Sequence, residues 1–136
     1  MPNQPIVASA GRRWRPDRLN RPPRDYRLGG PDGEVINGWV IGRGSSRAQK
    51  ARWNEIYIYK LAFGGWAVER VACSTLDNEG RLWWSTIAAT HHEVLAAVMI
   101  PATAARAAFL SDTGRAALNS ATRRDQSLEE VMTLIA

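Results

Sequence analysis

A single cysteine, Cys73, in 136 residues excludes an internal disulfide framework and a zinc site built from clustered cysteines. Lysine is scarce as well: sixteen of the eighteen basic residues are arginine. Guanidinium makes planar, bidentate contacts with phosphate or carboxylate and stacks on rings, although a GC-rich genome enriches arginine too. No apolar run approaches the roughly 18–20 residues of a membrane helix. Residues 2–30 are polar, charged and proline-containing where a signal peptide would be apolar. Length and composition therefore lead to the expectation of one cytoplasmic domain without membrane association.

What is present is unevenly distributed. Residues 1–52 carry eleven basic side chains against four acidic ones, a net +7, whereas residues 53–136 carry seven against nine, a net −2. Such asymmetry points to an attachment segment aimed at nucleic acid or an acidic protein surface. Residues 1–30 read as an extended basic arm and residues 31–136 as a single α+β domain, with Gly29-Gly30-Pro31-Asp32-Gly33 as the hinge. Pro2, Pro5, Pro16, Pro22 and Pro23 oppose helix in the arm. Arg12, Arg15, Arg18, Arg21, Arg24 and Arg27 recur at every third position, with Arg13 extra. In polyproline II, with three residues per turn, they would line one edge roughly 9 Å apart, a spacing that can follow a phosphodiester backbone. Trp14 and Tyr26 lie between them and could stack on bases. The alternative is a solvated charged tail.

The domain reads as an antiparallel β-meander of three to five strands followed by helices. Asn37-Gly38, flanked by Val35-Ile36 and Trp39-Val40-Ile41, is a hairpin signal, with one longer bulged strand as the other reading. Residues 42–52 look like a basic, glycine-containing loop. Strands are expected over 54–62 and Trp66–Ser74, joined by Gly64-Gly65 as a two-residue turn, and over Leu82–Ala88. That turn would set Leu61 opposite Val68, Tyr59 opposite Arg70 and Tyr57 opposite Ala72. Tyr57, Tyr59, Leu61, Trp66 and Val68 would then share one face with Arg70. Ile56, Ile58, Ala67, Val71 and Cys73 would share the other. Neither face is cleanly polar, so helices must cover one side and the arm, a second subunit or a ligand the other. Thr90 to Glu93 is a capping box opening a helix that Pro101 stops. Ala104–Leu110 reads as helical, and Asp112 or Thr113 caps a helix to about Arg123. Ser127 to Glu130 is a second capping box, with Leu128, Val131, Leu134 and Ile135 as the buried face.

Candidate chemistry is thin. Gly42-Arg43-Gly44-Ser45-Ser46-Arg47 lacks the Lys-Ser/Thr ending of a phosphate-binding loop, and His91-His92-Glu93 is only half of a zinc-protease motif. Cys73 sits mid-strand among apolar neighbours, as a small core residue does. Asp77 and Glu79 belong to a turn rather than to an apolar pocket that would make one of them an acid. No catalytic residue, metal or cofactor is expected. The aromatic face, through Tyr57, Tyr59, Trp66 and Trp83, could stack bases, although core packing or burial under the arm is the plainer role.

From Arg52 onward the chain has Arg52-Trp53-Asn54-Glu55 before Ile56 to Tyr59, Gly65 before a hydrophobic strand, and His92-Glu93-Val94 opening a helix. In these features the layout resembles small proteins of bacteria with GC-rich genomes and of their phages or integrative elements. The resemblance implies a mobile-element setting and no activity, and the arginine arm departs from it. Residues and resemblance together lead to the expectation of a non-enzymatic accessory protein. It would dock on nucleic acid or a nucleoprotein assembly through Arg12 to Arg27, with Arg43, Arg47, Lys50 and Arg52 extending the patch. The rival is an inhibitor or assembly subunit whose arm fits an acidic protein groove.

Overall fold

The computed structural model describes residues 21–48 and 50–135. Five antiparallel strands run in sequence order across one sheet: β1 (Arg24–Arg27), β2 (Val35–Ser45), β3 (Arg52–Leu61), β4 (Trp66–Ser74) and β5 (Leu82–Ala88). Helices α1 (His91–Val98), α2 (Asp112–Arg124) and α3 (Glu129–Leu134) follow, with a 3-10 turn at Gln126–Leu128 between the last two. The expected meander with C-terminal helices is the observed fold. No helix among the described residues is long and apolar enough to cross a membrane.

The N-terminal segment enters the sheet. Arg24–Arg27 is the edge strand, and Leu28, which follows it, is buried. Gly29 to Gly33 is the β1–β2 turn rather than a hinge, closed by Leu28 N donating to Glu34 O at 2.8 Å. Asn37-Gly38 makes no hairpin turn. Gly38 lies inside β2, paired with Arg24 on one side and Leu61 on the other, and the ladder shifts between Val40 and Gly42. Pairing on both edges overrides the local turn preference, so the longer bulged strand is the correct alternative. The expected loop over 42–52 shrinks accordingly, because β2 continues to Ser45.

The β3–β4 register differs from the expected one. Gly64 and Gly65 both have positive φ, but Leu61 N donates to Gly65 O, so the turn spans Leu61–Gly65. Tyr59 consequently faces Ala67, three residues from the expected Arg70. A shift by an odd number exchanges faces. Trp66, Val68 and Arg70 therefore join Ile56 and Ile58, while Ala67, Val71 and Cys73 join Tyr57 and Tyr59.

The helices cover the first of these faces. Trp39, Ile41, Ile56, Ile58, Trp66 and Val68 form one core with Val94 and Val98 of α1, Ala117, Leu118 and Ala121 of α2, and Leu128 and Val131. Close packing of α2 on β2 depends on glycine: a Cβ at Gly44 would lie 2.0 Å from Thr113 O. The opposite face is covered by the chain itself. The β1–β2 turn folds over it, placing Leu28 with Ile36, Tyr59 and Ala67, and Gly30 against the Trp83 ring of β5. Gly29 N donates to Glu69 Oε2 at 2.8 Å, which ties this turn to β4.

The helices also depart in detail. Thr90 and Glu93 form the expected capping box. Residues 104–110 are not helical; Thr103 bridges Arg106 and Ile100 bridges Phe109. Residues 101–108 are exposed, so a helix there would bury no apolar stripe, and alanine propensity alone does not hold it. Ser111 is the cap of α2, accepting from Gly114 N at 3.1 Å. The expected Ser127 box does not form, because Ser127 Oγ donates to Asp125 at 2.6 Å and Asp125 is the cap. Leu134 is exposed rather than part of a buried face.

Candidate anion-binding groove

The β2 bulge assembles a cluster of guanidiniums. Where the ladder shifts, the carbonyls of Val40 and Ile41 accept from two arginines, one ahead of β1 and one on α2. Arg21 Nη2 donates to Val40 O at 3.1 Å, and Arg124 Nη1 donates to Ile41 O at 3.4 Å. Arg21 is itself anchored by its carbonyl, which accepts from Trp39 Nε1 at 3.1 Å. Arg124 reaches the bulge from the last turn of α2, where its charge also favours the helix dipole. Arg24 on β1 and Arg43 on β2 complete the cluster, and Arg43 N donates to Ser120 Oγ at 3.3 Å.

The result is an open groove of about 260 Å³, lined by Arg21, Arg24, Arg43 and Arg124 with Tyr26 and Ser120 and, among the described residues, by no acidic side chain. Arg43 has a carboxylate neighbour, Glu55, at 3.7 Å. Among the described residues, Arg21, Arg24 and Arg124 have no ion pair. Carbonyl contacts orient Arg21 and Arg124 without neutralising them. Like charges held together this way attract an anion with several oxygens, and a guanidinium fork suits phosphate.

The remaining expected binding residues lie elsewhere. Arg27 is three positions from Arg24 in a strand, hence on the opposite face, and donates to Gly33 O at 2.9 Å. Arg47 stacks over Trp53 at 4.5 Å. Lys50 and Arg52 border a separate groove of about 620 Å³, where Arg52 is bound to Glu79. That carboxylate, also held by Ser74, is pulled down to about 2. Arg12, Arg13, Arg15, Arg18 and Trp14 lie outside the described residues.

The expected stacking residues that are described are engaged within the protein. Trp66 is buried in the helix-facing core, on the opposite side of the sheet from Tyr57 and Tyr59. Tyr59 is buried, donates to Glu69 Oε1 at 3.3 Å and packs on Tyr26 at 5.0 Å. Burial and the Glu69 charge raise its pKa. Tyr57 and Trp53 both donate to Glu55. Burial works against the Glu55 charge, but these donors, with Arg43 and Arg81, outweigh it and lower the pKa. Cys73 is buried beside Trp53 and Val71, and its thiol is pushed up by that burial.

Ser120 and Arg124 were not candidates from sequence. Their spacing puts them on one face of α2, but nothing local says which strand that face meets. No family model, curated protein or solved structure matches this chain.

Proposed function

We propose that this is a non-enzymatic accessory protein that binds nucleic acid, free or within a nucleoprotein assembly, by holding phosphates at a basic N-terminal segment and the arginine groove beside it. The observation that carries this reading is the convergence of Arg21, Arg24, Arg43 and Arg124 on a groove that, among the described residues, has no lining carboxylate. Arg12, Arg13, Arg15 and Arg18 precede Arg21 directly in sequence and supply further phosphate contacts. A cytoplasmic, phage or integrative-element setting is proposed with it, on the sequence resemblance.

Phosphate contacts of this kind position a nucleic acid without selecting its sequence, and they weaken steeply with salt. The test is the affinity of a labelled oligonucleotide against salt concentration, for the wild type and for the triple variant Arg21→Glu, Arg24→Glu, Arg124→Glu. Unchanged affinity and slope in the variant would overturn the proposal. A nuclease-resistant complex of fixed stoichiometry with one acidic protein would favour the rival reading.

A further inference from the structure

The helices leave part of their own sheet face open. Across the sheet, Trp84, Arg70, Ile56 and Gly44 lie in one row on the helix-facing side, with Leu82, Ala72 and Asn54 in the next. α2 packs over β2 and β3, and α1 packs against β4 and β5 nearer Ala88. The segment Pro101–Leu110, which is not helical, lies across from the Trp84 row. Between them are two recesses of about 370 and 380 Å³ that share Arg70 and Trp84 as a common wall.

The lining combines exposed aromatic surface with positive charge. Trp84 is 55% exposed although it stands in the middle of a strand. Phe109 forms the facing wall, with the Arg106 guanidinium over its ring at 4.2 Å. Lys50 and Arg70 add two more cations, and among the described residues none of Lys50, Arg70 and Arg106 is ion-paired. Glu55 is the acidic residue in the lining, and Tyr57, Trp53 and Arg43 already engage it.

We infer that this trough binds a single-stranded nucleic acid, with a base stacked on Trp84 and backbone phosphates near Lys50, Arg70 and Arg106. Stacking needs an open base face, which a duplex conceals and a single strand presents. Charge complementarity favours a polyanion over an apolar peptide. The trough is also within reach of the arginine groove. Thr113 at one end of α2 lines the trough and Ser120 lines the groove, about 10 Å apart along the helix. One oligonucleotide can therefore contact both.

The inference rests on the nucleic-acid reading, and the experiment separates the two. Full-length wild type, Trp84→Ala, Trp84→Phe, the double variant Lys50→Glu, Arg106→Glu, and the groove triple variant are titrated against labelled dT20, rU20, a 20-base-pair duplex and heparin. The expected result is tighter binding of the single strands than of the duplex. Trp84→Ala should lose about 5- to 150-fold on dT20 or rU20, the range for removing one base–aromatic stack. Trp84→Phe should retain most of the affinity, and heparin binding should change little in either. The cation double variant, which leaves Trp84 in place, should also weaken the single strands.

Wild-type affinity for dT20 and rU20 in Trp84→Ala and in the Lys50→Glu, Arg106→Glu double variant overturns the trough while leaving the groove standing. Loss in the trough variants with none in the groove triple variant does the reverse. No binding of any of these polyanions by the wild type overturns both. The dT20 and rU20 arms show whether the ligand is DNA, RNA or either.

Discussion

The indole Nε1 of Trp66 donates to Oδ2 of Asp125 at 2.9 Å, and both side chains are buried. This bond joins β4 to the turn that follows α2, across 59 residues of sequence. The other carboxylate oxygen accepts from Ser127 N and Oγ, and Lys60 Nζ lies 3.9 Å from Oδ2 and 4.0 Å from the centre of the Trp66 ring. One carboxylate thus caps the 3-10 turn, anchors the indole and accompanies a buried ammonium. Asp125→Ala should destabilise the fold by about 3–5 kcal/mol, the range for removing one member of a buried charged pair. Asp125→Asn, which keeps an acceptor for the indole, should lie between it and the wild type. Urea unfolding measures both, and equal stability of Asp125→Ala and wild type would refute the role.

The packing of α2 on β2 gives a second prediction. Gly44→Ala drives a methyl group toward Thr113 O, a backbone atom that cannot yield without moving the helix. The expected loss is about 1–3 kcal/mol, as for overpacking elsewhere. A Cβ at Gly80 would meet nothing within 4 Å, and φ there is not positive. Gly80→Ala should therefore stay within about 0.5 kcal/mol of wild type. Comparable thermal midpoints for the two variants would contradict the packing.

A third prediction concerns acid. Hydrogen bonds from Arg52 and Ser74 hold the Glu79 carboxyl at about 2, below its ordinary 4.5. A depressed carboxylate stabilises the fold fully above its unfolded value and loses that contribution as pH falls through the folded one, so the window runs from about 4.5 down to about 2. The pair is exposed and screened by salt, so its contribution is small. NMR titration should place the Glu79 inflection near 2. Arg52→Ala should move it upward, and an unmoved inflection would rule out the pairing.

The groove gives a fourth. Each phosphate contact contributes about 0.7 to the salt slope on single strands and about 0.9 on duplex. Reversing Arg21, Arg24 and Arg124 together should therefore flatten the log–log slope by about 2–3. Arg27→Glu, with its side chain on the Gly33 carbonyl, should change the slope less than Arg24→Glu does.

The β3–β4 turn at Leu61–Gly65 separates what is readable in the sequence from what is not. Alternating β-branched and aromatic residues marked β3, β4 and β5 in the sequence, and Thr90 with Glu93 marked the start of α1. These signals are local: they depend on side-chain period and on hydrogen bonds within four residues. The same pattern did not say which face of β4 meets the helices, because two glycines fit a two-residue turn and the longer observed loop equally well. An odd shift moved Trp66 from the stacking candidates into the core.

The sequence by itself determined the fold class and the concentration of arginine toward the N-terminus, since composition and short-range pattern suffice for both. Only the tertiary structure decided which arginines act together. Arg21 and Arg124 meet because two consecutive carbonyls at the β2 bulge receive them, and Arg27 is removed from that set because strand geometry alternates its face. Likewise Trp84 stays exposed on the helix-facing side of β5 because the segment after α1 forms no helix over it. Convergence in space depends on register and helix placement, which are set by contacts between residues far apart in the chain.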